Sequence, residues 1–132
     1  MLTPAGVSIP TLRRWTLNAR RRIRLGGRIA VTVVPPRLSQ SLNTTYRGKK
    51  KPTNVLSFDY AHQGSHKITD HPIDGEVLLC PAVIRKEAKE QGRTYMEYFH
   101  FLLNHGLIHL LDLDHKTAAE QKRWNRYEQR LQ

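Results

Sequence analysis

The stretch from Phe101 to Leu113 most constrains this chain, because it is almost wholly apolar yet carries two histidines four residues apart. An apolar run of this length predicts a buried helix. On a helix His105 and His109 project from one face, one turn apart. Imidazoles in such a setting need partners, and two that converge on one face can share a metal. His115 follows six residues later, past an expected chain reversal at Asp112, and can swing back to supply a third nitrogen. Three histidine ligands leave a coordination position open, as in catalytic rather than structural zinc sites. The set predicts one zinc per chain on His105, His109 and His115. The spacing also matches the long zinc-protease signature, but that signature has a glutamate after its first histidine. Gly106 stands there, so the general base of peptide hydrolysis is missing.

Charge supplies the second constraint. Residues 1–51 hold twelve Lys and Arg and no Asp or Glu; residues 52–132 hold the other ten bases and all eleven acids. The whole formal charge of +11 therefore lies in the first part of the chain. Such asymmetry points to a polyanionic partner, nucleic acid or an acidic membrane surface. The single cysteine, Cys80, excludes an intramolecular disulfide framework and a cysteine-built zinc site. No run is long and apolar enough to span a bilayer. An Arg-rich, acid-free start also suits a transit peptide. Leu12, Trp15, Ala19 and Ile23, however, fall on one helical stripe and are followed by Gly26-Gly27 and a strand-like run, residues 28–34. The start is accordingly read as mature protein, a first helix and strand with outward arginines.

The remaining pattern alternates in the same way. A short helix is expected over residues 37–45, strands over 54–58 and 75–79, and a helix over 82–91 opened by Pro81 and stopped by Gly92. Capping boxes at Thr94–Glu97 and Thr117–Glu120 open two further helices. Residues 60–72 read as an exposed polar loop or hairpin whose His62, His66 and His71 are solvated rather than a second metal site. His100 lies about 140° round the helix from His105 and is expected to point away from the metal. Trp15, Trp124 and Tyr127 read as core. The class is α+β, a mixed α/β single domain over residues 1–132 with a basic N-terminal helix and strand region over about 1–51.

Residues 105–115 read His-Gly-Leu-Ile-His-Leu-Leu-Asp-Leu-Asp-His. The run resembles the hallmark His-Gly-x-Leu-His-Leu-x-Gly-x-Asp-His of the YbeY family, the bacterial metal-dependent endoribonucleases of ribosomal RNA maturation. Leu42-Asn-x-x-Tyr-Arg47, Lys51-Pro-Thr-Asn-Val-Leu-Ser-Phe58, and Gly75-Glu-Val-x-x-Cys80 followed by Glu87-Ala88 fit the same family. The resemblance implies a mixed sheet of about four strands flanked by helices and a zincin-like metal site on a buried helix. It further implies zinc on the three histidines and cytoplasmic cleavage of single-stranded RNA, with ribosomal RNA or ribosomal particles as partners and neither DNA nor membrane. The family's functional arginine falls on Arg47 and its motif serine on Ser57, so Arg47 and His105 are the expected catalytic residues. Ile108 stands for the family's leucine and Asp112 for its glycine. Two other readings of the ligand set are another three-histidine hydrolase acting on peptides or small molecules, and a non-catalytic RNA- or ribosome-binding factor with structural zinc. Oligomeric state is not legible.

Overall fold

A computed structural model describes residues 6–60, 73–111 and 118–131. Among these the chain forms a mixed α+β fold of five helices and three strands. In chain order they are α1 (Ile9–Ile23), β1 (Ile29–Val33), α2 (Pro36–Arg47), β2 (Val55–Asp59), β3 (Gly75–Leu79), α3 (Pro81–Glu90), α4 (Tyr95–His109) and α5 (Ala118–Leu131). No helix among the described residues is long and apolar enough to cross a membrane.

The sheet has the order β1-β3-β2, with β3 parallel to β1 and antiparallel to β2. β3 is central and buried at every position, as its nearly continuous apolar run requires of a strand covered on both faces. Alternation along it divides the core. Val77 and Leu79 face α1, α4 and α5, while Leu78 and Cys80 meet Leu42 of α2 and Leu56 of β2. Helices α2 and α4 therefore lie on opposite faces of the sheet. The resemblance implied about four strands; three are described, and residues 61–72, between β2 and β3, lie outside the described set.

Helix α4 holds the larger core together. Phe99, Leu103 and Leu107 are fully buried. Each such side chain contributes about 1.5–3 kcal/mol relative to exposure. Thr94 caps α4, its hydroxyl accepting from the Glu97 amide at 3.2 Å, as the capping box foretold. The second box begins at Thr117, outside the described residues. α2 runs two residues past its expected end, because Gly48 with φ +70° supplies the left-handed stop.

Near one end of the sheet both faces are covered. Asp59 pairs with Gly75 there, and an added Cβ on Gly75 would lie 3.1 Å from the Leu110 side chain just after α4. On the other face Tyr46, next to Arg47, packs edge-on against Phe58 with centroids 5.1 Å apart.

Candidate active site

The site begins with Gly106, because that residue decides how α4 sits. A Cβ there would fall 2.7 Å from Val77 Cγ1, 3.1 Å from Val55 Cγ2 and 3.2 Å from Ser57 Oγ. Only glycine allows so close an approach, and Ser57 closes it by donating to the Gly106 carbonyl at 2.8 Å. Position 106 is pressed onto the sheet, which explains physically why no glutamate stands after the first histidine. The motif serine acts here as a hydrogen-bonded rest for the helix.

With Gly106 against the sheet, His105 and His109 turn toward α5. Their Nε2 atoms lie 3.1 Å apart. Two nitrogens bound to one tetrahedral zinc at about 2.0–2.1 Å stand about 3.3–3.4 Å apart, so the pair has nearly the spacing of two ligands of one ion. Trp124 of α5 roofs both imidazoles, with centroid distances of 4.9 Å to His105 and 4.6 Å to His109. It is 2% exposed, and its indole N–H donates to the Glu128 carboxylate four residues on. Trp124 is core, as its helical spacing suggested, but it also fixes the two rings. Sequence reasoning missed that second role. The signal was present in Trp124 and Glu128 sharing a face at i and i+4.

His105 also lines a cavity of 260 Å³ between α4 and α5, together with His100, Phe101, Asn104, Glu97 and Glu128. His100 stacks on Trp15 of α1, with rings 4.2 Å apart and 6° from parallel. Its ring is thus committed to α1, yet it borders the same cavity as His105. Burial lowers its pKa below the ordinary 6.5. A histidine kept neutral in the fold stabilises it fully above its unfolded pKa, and that contribution is lost as the pH falls below about 6.5. Urea midpoints of wild type and His100→Phe, which keeps the stack, should therefore diverge on acidification, with wild type falling faster.

Arg47 stands in the last turn of α2, in a groove of 550 Å³ that it shares with Lys49, Lys51, Lys86, Glu87 and Glu90. This groove and the histidine cavity share no lining residue. Pro52, Thr53, Ala82 and Val83 of the same groove flank the sheet end where Val55 pairs with Leu79, away from the Gly75 end that Leu110 reaches, so the described residues do not bring Arg47 together with the histidines. His115, Asp112 and Asp114 lie outside the described residues, as do His62, His66 and His71.

A sheet crossed by an apolar helix, with two convergent imidazoles on the helix face turned from the strands, presents a candidate pair of metal ligands. Comparison with known proteins narrows the class. The family model Endoribonuclease YbeY matches residues 11–132. The chain is 35% identical over 130 residues to the Endoribonuclease YbeY of Halorhodospira halophila, covering 96% of this chain and 84% of that protein. It is 35% identical over 106 residues to that of Pseudoalteromonas translucida, covering 80% and 68%. To that of an Azoarcus species it is 37% identical over 110 residues, 83% of this chain and 42% of the relative. The solution structure of TM1509 from Thermotoga maritima shares the fold, with a TM-score of 0.55 at 21% identity over 91% of this chain and 80% of that one. The chain belongs to the Endoribonuclease YbeY family.

Proposed function

We propose that the chain is a metal-dependent endoribonuclease in which His105, His109 and His115 hold one zinc ion. The observation that carries this reading is the 3.1 Å approach of two Nε2 atoms on the helix face away from the sheet, in a chain of a nuclease family. A bound zinc would supply Lewis acidity toward a phosphate oxygen or a water. The chain's own residues do the rest. Gly106 and Ser57 seat the helix, and Trp124 with Glu128 holds both imidazoles in their rotamers. Arg47 is assigned to the phosphodiester backbone, where its planar fork suits two phosphate oxygens at once. The substrate is single-stranded RNA, and we assign ribosomal RNA or ribosomal particles in the cytoplasm as its source. Residues 1–132 work as one domain, zincin-like in carrying its ligands on a buried helix.

The test is single-turnover cleavage of single-stranded RNA by wild type and His105→Ala at matched folded concentration. Cleavage by wild type that is lost in the variant supports the reading. Equal rates in both would refute it.

The basic N-terminal part is assigned the backbone-directed affinity. The structure sorts its arginines. Arg20 donates to the carbonyls of Leu25 and Gly27, and Arg22 to that of Arg130 at 3.0 Å, so both serve the fold. Arg13, Arg14 and Arg21 are exposed around a shallow hollow with Leu17 and Asn18. Each single-strand phosphate contact contributes about 0.7 to the slope of log affinity against log salt. Neutralising these three to Gln should reduce the slope by about two and weaken binding at low salt, with the cleavage rate at saturating RNA unchanged. An unaltered slope would mark them as a solvated face only.

A further inference from the structure

The cavity beside His105 has a chemistry that the hydrolytic reading does not use. It is bounded by α4 and α5, and its 260 Å³ has room for one planar group rather than a length of chain. Phe101 on its wall is 42% exposed, although it stands on the most buried helix of the fold. The ring is held in place. The Arg93 guanidinium lies 4.9 Å from its centroid, and Tyr98 stacks on it at 6.3 Å and 11° from parallel. An aromatic ring braced in this way and left open to solvent beside a candidate catalytic histidine is a stacking platform.

The polar lining selects what stacks there. Glu97 and Glu128 border the cavity, and two carboxylates repel a phosphate while accepting hydrogen bonds from amino groups. Asn104 lines the same wall, its amide donating to the Leu131 carbonyl at 3.5 Å. Acceptors on the wall, an aromatic face and exclusion of anions together describe a seat for a nucleobase with an exocyclic amino group.

We infer that this cavity binds the base of a nucleotide adjoining the scissile phosphate, favouring guanine, adenine or cytosine over uracil. Uracil offers one N–H between two carbonyls, and those carbonyls face the carboxylates unfavourably. The inference rests on the endoribonuclease reading, because it places the phosphate of that nucleotide beside His105. Seating the base there would fix which bond is presented for cleavage, and so would give a single-strand nuclease a preference for sequence.

The molecule carries its own reporters. Its two tryptophans each touch a histidine of the cavity wall, Trp15 at His100 and Trp124 at His105. Guanosine 5′-monophosphate should quench tryptophan fluorescence saturably, ribose 5-phosphate should not, and uridine 5′-monophosphate should bind more weakly. Phe101→Leu should weaken guanosine monophosphate binding roughly tenfold, the scale of one base–aromatic stack. Equal binding of ribose 5-phosphate and guanosine monophosphate, or no effect of Phe101→Leu in a variant with wild-type thermal stability, would overturn the proposal. A second arm uses RNA with a single abasic nucleotide on either side of the cleaved bond. Cleavage of both abasic strands at the intact rate would sink the base pocket and leave the nuclease standing. Specific nucleotide binding by a protein that cleaves no RNA would retain the pocket and remove the nuclease.

Discussion

Gly106→Glu should leave the protein largely unfolded under conditions where wild type is stable. A Cβ at this position already comes 2.7 Å from Val77 Cγ1, and the carboxylate beyond it would be driven between β2 and β3. Overpacking alone costs about 1–3 kcal/mol. An unpaired carboxylate placed in the core adds several more, unless it takes up a proton. Against a total stability of about 5–15 kcal/mol for a domain, the sum is most or all of what is available. Gly106→Ala separates the terms. It gains about 1 kcal/mol of helix propensity and loses about 1–3 kcal/mol to the clash, so a net loss near 1 kcal/mol is expected. Urea denaturation of both variants checks the order. A Gly106→Glu protein as stable as wild type would mean that α4 does not rest on the sheet as described.

The same residue separates this site from a peptidase on physical grounds. In the zinc-protease signature the position after the first histidine supplies the general base. Here that position is spent on close contact with Val77, Val55 and Ser57. No side chain is accommodated, so a variant restoring the glutamate would lose the fold before it gained the activity.

Much of this was legible before any coordinates, and the reasons are specific. β3 was legible because the run between Asp74 and Pro81, apolar but for Glu76, has few alternatives to a strand covered on both sides. The start of α4 was legible because Thr94 and Glu97 form a local capping pair that tertiary structure does not override. Convergence of His105 and His109 followed from helical spacing alone. Three features were not legible. Arg20 and Arg22 looked equivalent to Arg13, Arg14 and Arg21, because a guanidinium's hydrogen bond to a backbone carbonyl, whether a few residues on or far along the chain, leaves no trace in the sequence pattern. Trp124 over the histidines depends on how α5 returns across α4, a long-range packing event. The cavity beside His105 arises between two helices that no local pattern relates.

The histidine pair carries the other large effect. Truncating His105 and His109 together removes two of three proposed ligands, and the one that remains cannot hold zinc at ordinary concentrations. Neither ring lies in the main core, so the double alanine variant should stay folded, though Trp124 loses its contact with both imidazoles. Its cleavage rate should fall by at least about a hundredfold if the bound metal contributes the several kcal/mol expected of a Lewis acid. His115→Ala should behave similarly. This makes it a direct test of the third ligand, which the motif places and the described residues do not include.

The most direct measurement is therefore metal content and single-turnover RNA cleavage on the same preparations of wild type, His105→Ala/His109→Ala and His115→Ala. The expected result is about one zinc per wild-type chain with cleavage, and neither zinc nor cleavage in both variants while circular dichroism shows the fold retained. Stoichiometric zinc in the folded double variant, or RNA cleavage undiminished without zinc, would contradict the assignment of these histidines.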